Sequence, residues 1–374
     1  MSWRGILDKA KEKAFSYLLW WKSRPSLVQR VIDEAPAAES GGRADTTRAA
    51  GDARGAGAAG AGNAPTLVRV AAVQMRLEFI RSAEDYARKI LDLTRRAVEQ
   101  GAELIAFPED AATGLIGFIP GIEKLATGSD LQGAVQEMAG DAKVADIFRF
   151  ISPAVRRIYE ATFSGVARKF GVYVVAGSAI LPNARGQMVN VAYVYGPDGR
   201  KLGEQDKCHF IPMEVEWGLQ TGDDLTLFEA PWGRFAAPVC MDATYFETFR
   251  ILAQRGADVV VIPSANPEEY NLWKALRGIW PRVQESQVYG IHSCMVGEFM
   301  GLVLTGRSGI FAPMELTPGG DGVLAQAERF DQEDVVVVDL DLEALRRLRQ
   351  EQGVQRGFNL ALYERYLPGI YIKR

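Results

Sequence analysis

Apolar positions in the first 34 residues follow a helical period, and the stretch after them offers nothing that could build a core. Apolar residues recur at alternating steps of three and four positions, which places them in one stripe along a helix. They are Trp3, Leu7, Ala10, Ala14, Leu18 and Trp21. Residues 35–65 contain no Val, Ile, Leu or aromatic residue, so burial cannot offset the entropy cost of ordering them. The pattern predicts an N-terminal amphipathic helix over 1–34, a disordered Ala/Gly-rich linker over 35–65 and a folded domain over 66–374.

After the linker, short β-branched runs alternate with helical patterns. Strands are predicted over 68–75, 102–110, 172–178, 257–266 and 334–341, and helices over 82–100, 244–254 and about 270–288. Turn signals at Pro197–Gly199 and at Trp232–Gly233 predict two β-hairpins. The interleaving indicates an α/β fold, and the hairpins indicate that its sheets are not purely parallel.

Composition narrows the functional classes. The 374 residues include 43 Lys+Arg and 47 Asp+Glu, so a net charge of −4 gives no general reason to expect a nucleic-acid partner. Three scattered cysteines are too few for a disulfide scaffold, which favours a reducing, cytoplasmic location. Two histidines make a His-rich metal centre improbable.

The N-terminal helix is basic, and its partner stays open. Its first 24 residues carry six basic side chains against Asp8 and Glu12. One interpretation is peripheral contact of residues 2–24 with an anionic membrane surface. The other is that the helix packs on the body of the protein or on a second subunit, because periodicity cannot identify the partner.

Three predicted strands end in reactive side chains. Glu109 follows LIAFP, Lys207 lies in DKCHF, and Cys240 lies in APVCMD just before a helix can begin. Amide groups at a strand-to-helix junction favour a thiolate and can bind an oxyanion. With only His209 and His292 in the chain, Glu109 is a serious candidate for the base that a thiol nucleophile needs.

These segments resemble the nitrilase superfamily of carbon–nitrogen hydrolases. The resemblance runs from about Val68 to about Asp341. It rests on AAVQM, LIAFPED, DKCHF, VCMDATYFETFRILAQRGADVVVIPSAN and ESQVY. It implies a four-layer αββα sandwich that assembles as a homodimer or larger homo-oligomer, with no metal or organic cofactor.

The resemblance also implies a role for each reactive residue. Glu109 would be the general base, Lys207 would stabilise the tetrahedral intermediate, and Cys240 would form a thioester with the acyl group. The N–H of Met241 would complete the oxyanion hole.

The family uses a second Glu downstream of the Lys, and two candidates lie close together. The His-x-x-Pro-x-Glu spacing favours Glu214, whereas counting back from Gly222 favours Glu216. We predict Glu214.

The residues after the nucleophile bear on the reaction. Met-Asp follows Cys240, which differs from the Trp-Glu of true nitrilases and is nearer the Cys-x-Asp of amidases. The predicted function is an amidase that converts a small carboxamide to a carboxylate and ammonia. The alternatives are a carbamoyl-amide hydrolase, a nitrilase, or an acyl-transferring or non-catalytic member that the N-terminal helix recruits to a membrane or partner.

Other positions receive weaker predictions. Trp217, Tyr245 and Asn266 are candidates for lining the substrate pocket, because they lie near the motifs. The stretch 117–165 is longer than an ordinary connection, which suggests a lid or part of the substrate entrance.

The remaining thiols and polar groups near the motifs are assigned structural roles. Cys208 and Cys294 are predicted to be buried structural cysteines, and His209 a packing or hydrogen-bonding residue. Asp242 either caps a helix or contacts the substrate.

Overall fold

The computed structural model describes residues 3–36, 67–122 and 143–372, with side chains from residue 13 onward. Apart from Ala35 and Pro36, the predicted linker 35–65 lies outside these ranges. The helices in the described part are α1 Trp3–Lys22, α2 Pro25–Glu34, α3 Ala83–Val98, α4 Val144–Phe170, α5 Pro212–Trp217, α6 Phe246–Gln254, α7 Leu272–Ser286, α8 Leu342–Gln352 and α9 Leu360–Ile370. None of them combines the length and the apolar character needed to cross a bilayer.

The strands follow the predicted alternation. They are β1 Leu67–Arg76, β2 Leu104–Ala106, β3 Tyr173–Val175, β4 Ala179–Pro182, β5 Met188–Tyr195, β6 Lys201–Asp206, β7 Phe228–Ala230, β8 Gly233–Ala236, β9 Val259–Ala265, β10 Tyr289–Phe299, β11 Leu302–Leu304, β12 Gly309–Phe311, β13 Val323–Gln326 and β14 Asp334–Asp341. Both predicted hairpins are confirmed, β5 with β6 and β7 with β8.

Strand β1 joins two sheets. Along most of its length it pairs with β2 in parallel and with β14 antiparallel. At its end, Met75 and Arg76 pair in parallel with Met295 and Val296 of β10, which continues through β9 and β8 into the second sheet. The hydrogen-bonded order is β4-β5-β3-β2-β1-β10-β9-β8-β7.

Side-chain alternation along β1 separates two cores. Val68, Val70 and Ala72 face the other sheet, and Ala71, Val73 and Met75 face a helical layer. Strand β9 alternates likewise, because Val259 and Val261 join the core between the sheets while Val260 and Ile262 pack with α6 and α7. Two sheets between two helical layers confirm the predicted four-layer αββα sandwich.

Helix α4 is a central element of the outer core. Phe148, Tyr159 and Phe163 are fully buried along it, and the rings of Phe163 and Phe107 lie 5.0 Å apart. This helix includes residues 144–165, less than half of the stretch 117–165 that was predicted to form a lid or part of the substrate entrance. For residues 144–165 a lid is the wrong interpretation, because they belong to a core helix. Residues 123–142 lie outside the described ranges.

The predicted N-terminal helical segment is confirmed, and it forms two helices, α1 and α2, in place of one continuous helix. Pro25 occupies the first turn of α2 and has no N–H to continue α1, which ends before Ser23. From residue 13 onward, the predicted stripe is not the packed face of α1, because Leu18 and Trp21 are exposed while Leu19 is buried.

Helix α2 is seated on the body of the protein. Val28 and Ile32 are buried against α3 and α4. A Cβ built on Gly165 of α4 would come within 2.2 Å of Ile32 Cδ1, so a larger residue there would require the end of the Ile32 side chain to move.

The α2 contact should contribute measurably to stability. Ile32→Ala removes a fully buried side chain, and we expect the free energy of unfolding to fall by about 2–5 kcal/mol in urea titration. Ile370→Ala is the matched control, since Ile370 is exposed, and its effect should stay within about 0.5 kcal/mol. Equal effects of the two substitutions would contradict this packing.

His292 should make stability fall in acid. Burial lowers the pKa of His292 on β10 to about 4, so the unfolded chain takes up the proton first as pH falls below about 6.5. Between about pH 6.5 and pH 4, wild type should lose up to about 3 kcal/mol that His292→Gln does not lose. Urea unfolding of both proteins across this range measures the difference, and parallel pH dependences would refute it.

Candidate active site

Glu109 lies just beyond strand β2, where the chain turns tightly under the sheet edge. Its side chain is buried, and the next residue, Asp110, adopts a positive φ of 61°. Gly177 allows the turn, because a Cβ there would lie 2.0 Å from the carbonyl oxygen of Pro108. The amide of Asp110 donates to Ser178 Oγ at 3.1 Å. These contacts fix the position of the Glu109 carboxylate.

Lys207 directly follows β6 and is buried between two carboxylates. Its Nζ donates to Glu109 Oε1 at 2.7 Å and to both Glu214 carboxylate oxygens at 2.8 Å. Lys207 is 2% exposed and Glu214 4% exposed, so the three charges share one dry cluster. Glu216 is exposed on the same short helix, α5.

Backbone and amide donors complete the cluster. The side chain of Asn190 on β5 donates to Glu109 Oε1 at 2.8 Å and to Glu214 Oε1 at 3.3 Å. The amide of Ala265 donates to Glu109 Oε2 at 2.9 Å, and the amide of Ile211 donates to Glu214 Oε2 at 3.0 Å. Each carboxylate oxygen of the pair therefore has at least one donor.

Neighbouring charges keep the buried Lys207 side chain protonated. Burial by itself would lower the pKa of Lys207, but the charge of Glu109, with those of Cys240 and Glu214, holds that pKa well above its ordinary value. Burial raises the pKa of Glu214, and the neighbouring Lys207 ammonium opposes that rise.

Cys240 begins a short 3-10 turn, Cys240–Thr244, that follows β8. It has a positive φ of 46°, a backbone conformation that is strained for a residue with a Cβ. Its Sγ lies 3.9 Å from Asn266 Oδ1. Burial, followed by the Glu109 charge, raises the pKa of the Cys240 thiol well above its ordinary value. The thiol therefore stays protonated unless a base takes its proton.

Asp242 ties the Cys240 turn to the Lys207 loop. Its carboxylate is fully buried and accepts from the amide of Val239 at 2.8 Å. It also accepts from the amides of Cys208 at 3.1 Å and His209 at 2.8 Å. The sequence left Asp242 open between capping and substrate contact, and the structure shows it capping the 3-10 turn and crosslinking two loops.

The charged cluster and the thiol open into one cavity of about 280 Å³. Glu109, Lys207, Glu214, Cys240 and Met241 all line it. Among the predicted lining residues, Trp217 and Asn266 lie in the cavity wall. Tyr245 does not lie among the cavity residues in the described part of the chain, because its ring stacks on His209 at 4.3 Å on a more exposed surface.

The other predicted structural residues lie beside this cavity. His209 Nδ1 is 2.8 Å from Asp242 Oδ1, so the ring belongs to the loop crosslink. Burial raises the pKa of both Cys208 and Cys294 to about 12, which keeps these thiols protonated. Cys294 is buried on β10, and Cys208 is partly buried.

Sequence reasoning missed Asn190 as a site residue. Asn190 lies within a continuous apolar strand, VNVAYVY, where a single polar residue is a weak signal. Its Nδ2 bridges the two carboxylates, and its Oδ1 is buried without a hydrogen-bond partner. Only the antiparallel pairing of β5 and β6 brings it beside Lys207.

The outer wall of the cavity is charged. Lys274 Nζ and Arg277 Nη2 of α7 lie 2.8 Å and 3.7 Å from Glu268. Within the described ranges, no group of three or more His, Cys, Asp or Glu side chains is placed to hold a metal ion.

Solved structures of other proteins share this fold. An amidase of Nesterenkonia sp. AN1 aligns over 80% of this chain and 97% of its own, with a TM-score of 0.58 and 21% identity. A carbon–nitrogen hydrolase of Helicobacter pylori G27 aligns over 81% and 98%, with a TM-score of 0.61 and 19% identity.

Two curated relatives extend the comparison to sequence. An omega-amidase of Homo sapiens is 26% identical over 80% of this chain and 97% of its own length. A probable hydrolase of Bacillus subtilis is 27% identical over 77% of this chain, which spans only 53% of that relative. The family model for carbon-nitrogen hydrolases matches residues 69–350. This chain therefore belongs to the carbon-nitrogen hydrolase family of the nitrilase superfamily.

Proposed function

We propose that this hydrolase is an amidase that converts a small carboxamide to a carboxylate and ammonia through a thioester on Cys240. The observation that carries the proposal is the buried Glu109–Lys207–Glu214 cluster opening into the same small cavity as Cys240. A base, a fixed cation and a protonated thiol are the groups that acyl transfer to sulfur requires. A cavity of about 280 Å³ fits a small substrate.

In the acylation half, Glu109 takes the proton of the Cys240 thiol as Sγ attacks the amide carbon. The carbonyl electron pair moves to oxygen and gives a tetrahedral oxyanion. When the intermediate collapses, the C–N bond breaks and Glu109 returns the proton to the leaving nitrogen. Ammonia departs, and the acyl group remains on sulfur as a thioester.

In the deacylation half, Glu109 takes a proton from water as the water oxygen attacks the thioester carbon. The C–S bond then breaks, the proton passes to sulfur, and the carboxylic acid leaves. The carboxylate of Glu109 and the thiol of Cys240 are both restored, so no further reagent is consumed.

Two groups would stabilise the negative charge of the oxyanion, the Met241 N–H by direct contact and the Lys207 ammonium from a greater distance. The Met241 N–H lies in the first turn after the nucleophile, where amides lack intrahelical acceptors and can bind an oxyanion directly. The ammonium donors of Lys207 are directed to Glu109 and Glu214. Lys207 would therefore act as a fixed positive charge close to the oxyanion.

The names of the relatives support an amide substrate. The human relative is an omega-amidase, and the Nesterenkonia structural neighbour is an amidase. The Met-Asp pair after Cys240 favours the same class.

An ammonia-release assay tests the reaction and the nucleophile together. Purified protein is given small carboxamides, carbamoyl compounds and nitriles in parallel. We expect turnover of a carboxamide, and Cys240→Ala should lower that rate by about 10⁴-fold or more. Cys294→Ala, which removes a buried thiol outside the cavity, should retain turnover. Activity that survives Cys240→Ala would refute the mechanism, and turnover of nitriles or carbamoyl compounds alone would refute the amidase assignment.

A matched pair of substitutions tests the second glutamate. Glu214→Gln removes one of the two carboxylates that contact the Lys207 ammonium and that hold it beside Glu109. We expect kcat to fall by about 10²-fold or more, measured by ammonia release. Glu216→Gln makes the same chemical change on an exposed residue and should stay within about twofold of wild type. A larger effect of Glu216→Gln than of Glu214→Gln would reverse the assignment.

A further inference from the structure

Helix α1 presents an aromatic patch, formed by Tyr17, Leu18, Trp20 and Trp21, on the surface of the protein. Their exposed fractions are 68%, 39%, 52% and 48%. The rings of Tyr17 and Trp20 stack with centroids 6.0 Å apart. A cluster of exposed tryptophan and tyrosine on a globular protein marks a binding surface more often than chance exposure does.

The opposite face of α1 holds the helix in one orientation. Leu19 is buried, and the ring of Phe15 stacks on that of Phe150 of α4 at 5.7 Å. Arg157 of α4 donates to Ser23 Oγ at 2.7 Å just beyond the helix. The aromatic patch therefore points away from the body and needs no rearrangement to meet a partner.

Charge distinguishes this end of the molecule from the rest. The first 24 residues carry six basic and two acidic side chains, whereas the whole chain has a net charge of −4. The remainder is therefore acidic, and the N-terminal segment that carries the patch is basic. Arg24 lies 4.6 Å from the Trp21 ring, and Lys13 is exposed on the same helix.

We propose that the aromatic patch binds the surface of an anionic lipid membrane. Tryptophan and tyrosine combine an apolar ring with a polar tip, which suits the headgroup layer of a bilayer. Lysine and arginine beside them add attraction to anionic lipids. A second copy of the chain fits less well, because a symmetric pairing through this patch would place two basic helices against each other.

Membrane contact through α1 leaves the catalytic cavity accessible. The patch lies on the α4 side of the sandwich, whereas the outer wall of the cavity is formed by α7, in the opposite helical layer. Binding would then concentrate the hydrolase at a surface without closing the active site.

Vesicle co-sedimentation tests the proposal. Full-length protein is mixed with phosphatidylcholine vesicles that contain or lack phosphatidylserine, at low and at high salt. We expect sedimentation with the phosphatidylserine vesicles, weaker at high salt. The double substitution Trp20→Ala/Trp21→Ala should lower the partition coefficient by about tenfold or more. Lys13→Ala should lower it about fivefold, the value for one basic residue near an anionic surface.

Trp273→Ala is the matched control, because Trp273 is 75% exposed but lies far from α1 in the sequence, at the start of α7. It should sediment as wild type does. Circular dichroism and ammonia release, where active, should be unchanged in the Trp20/Trp21 variant, which separates lost binding from lost folding.

Three outcomes would overturn the proposal. They are no sedimentation with phosphatidylserine vesicles, equal sedimentation of wild type and the Trp20/Trp21 variant, and equal sedimentation with both kinds of vesicle. A change in oligomeric state in the Trp20/Trp21 variant would instead identify the patch as a contact between copies. None of these results bears on the amidase proposal, which depends on Cys240.

Discussion

The buried ammonium of Lys207 constrains this structure more than any other group. Moving an isolated charge into a dry interior costs many kcal/mol, so it persists only with opposite charges and hydrogen bonds around it. Glu109 and Glu214 supply the charges, and Asn190 and two backbone amides satisfy the carboxylates. Removing any one of these groups would leave another buried and uncompensated. The cluster thus requires β2, β5, β6, α5 and β9 to meet at one point.

Cys240 is held in place by a second set of contacts, which also involves the loop after Lys207. Cys240 adopts a positive φ, a conformation that a side chain disfavours, so its turn needs outside support. The Asp242 carboxylate provides this support. It accepts hydrogen bonds from backbone amides of the Cys240 turn and of the loop after Lys207. Because one carboxylate spans both loops, displacement of either loop would be transmitted to the other. The thiol and the charged cluster are therefore positioned as a single unit.

The layered architecture separates two surfaces with different chemistry. The charged cluster of Glu109, Lys207 and Glu214 lies near strand ends, with α7 forming the outer wall of the cavity. In the other helical layer, Ile32 of α2 packs against Gly165 of α4, and α1 directly precedes α2 in the chain. Helix α1 then exposes basic and aromatic side chains on an otherwise acidic molecule. The docking of α2, where the chain buries Val28 and Ile32, is what gives α1 a fixed direction.

The sequence by itself determined the local order of elements and the reactive residues. Periodicity predicted the β1 and β14 strands and both hairpins, because alternation and turn residues are local properties. The order of Glu109, Lys207 and Cys240 at strand ends, together with the family resemblance, selected the candidate chemistry.

Only the tertiary structure decided how distant residues meet. It buried Glu214 and left Glu216 in solvent, and it placed Asn190 between two carboxylates. It directed Tyr245 onto His209. It also placed residues 144–165 of the predicted lid or entrance in the core helix α4, and it divided the N-terminal helical segment into two helices before Pro25. Each outcome depends on which faces are covered by segments far away in the chain, and hydrophobic periodicity shows that a face is apolar without showing what covers it.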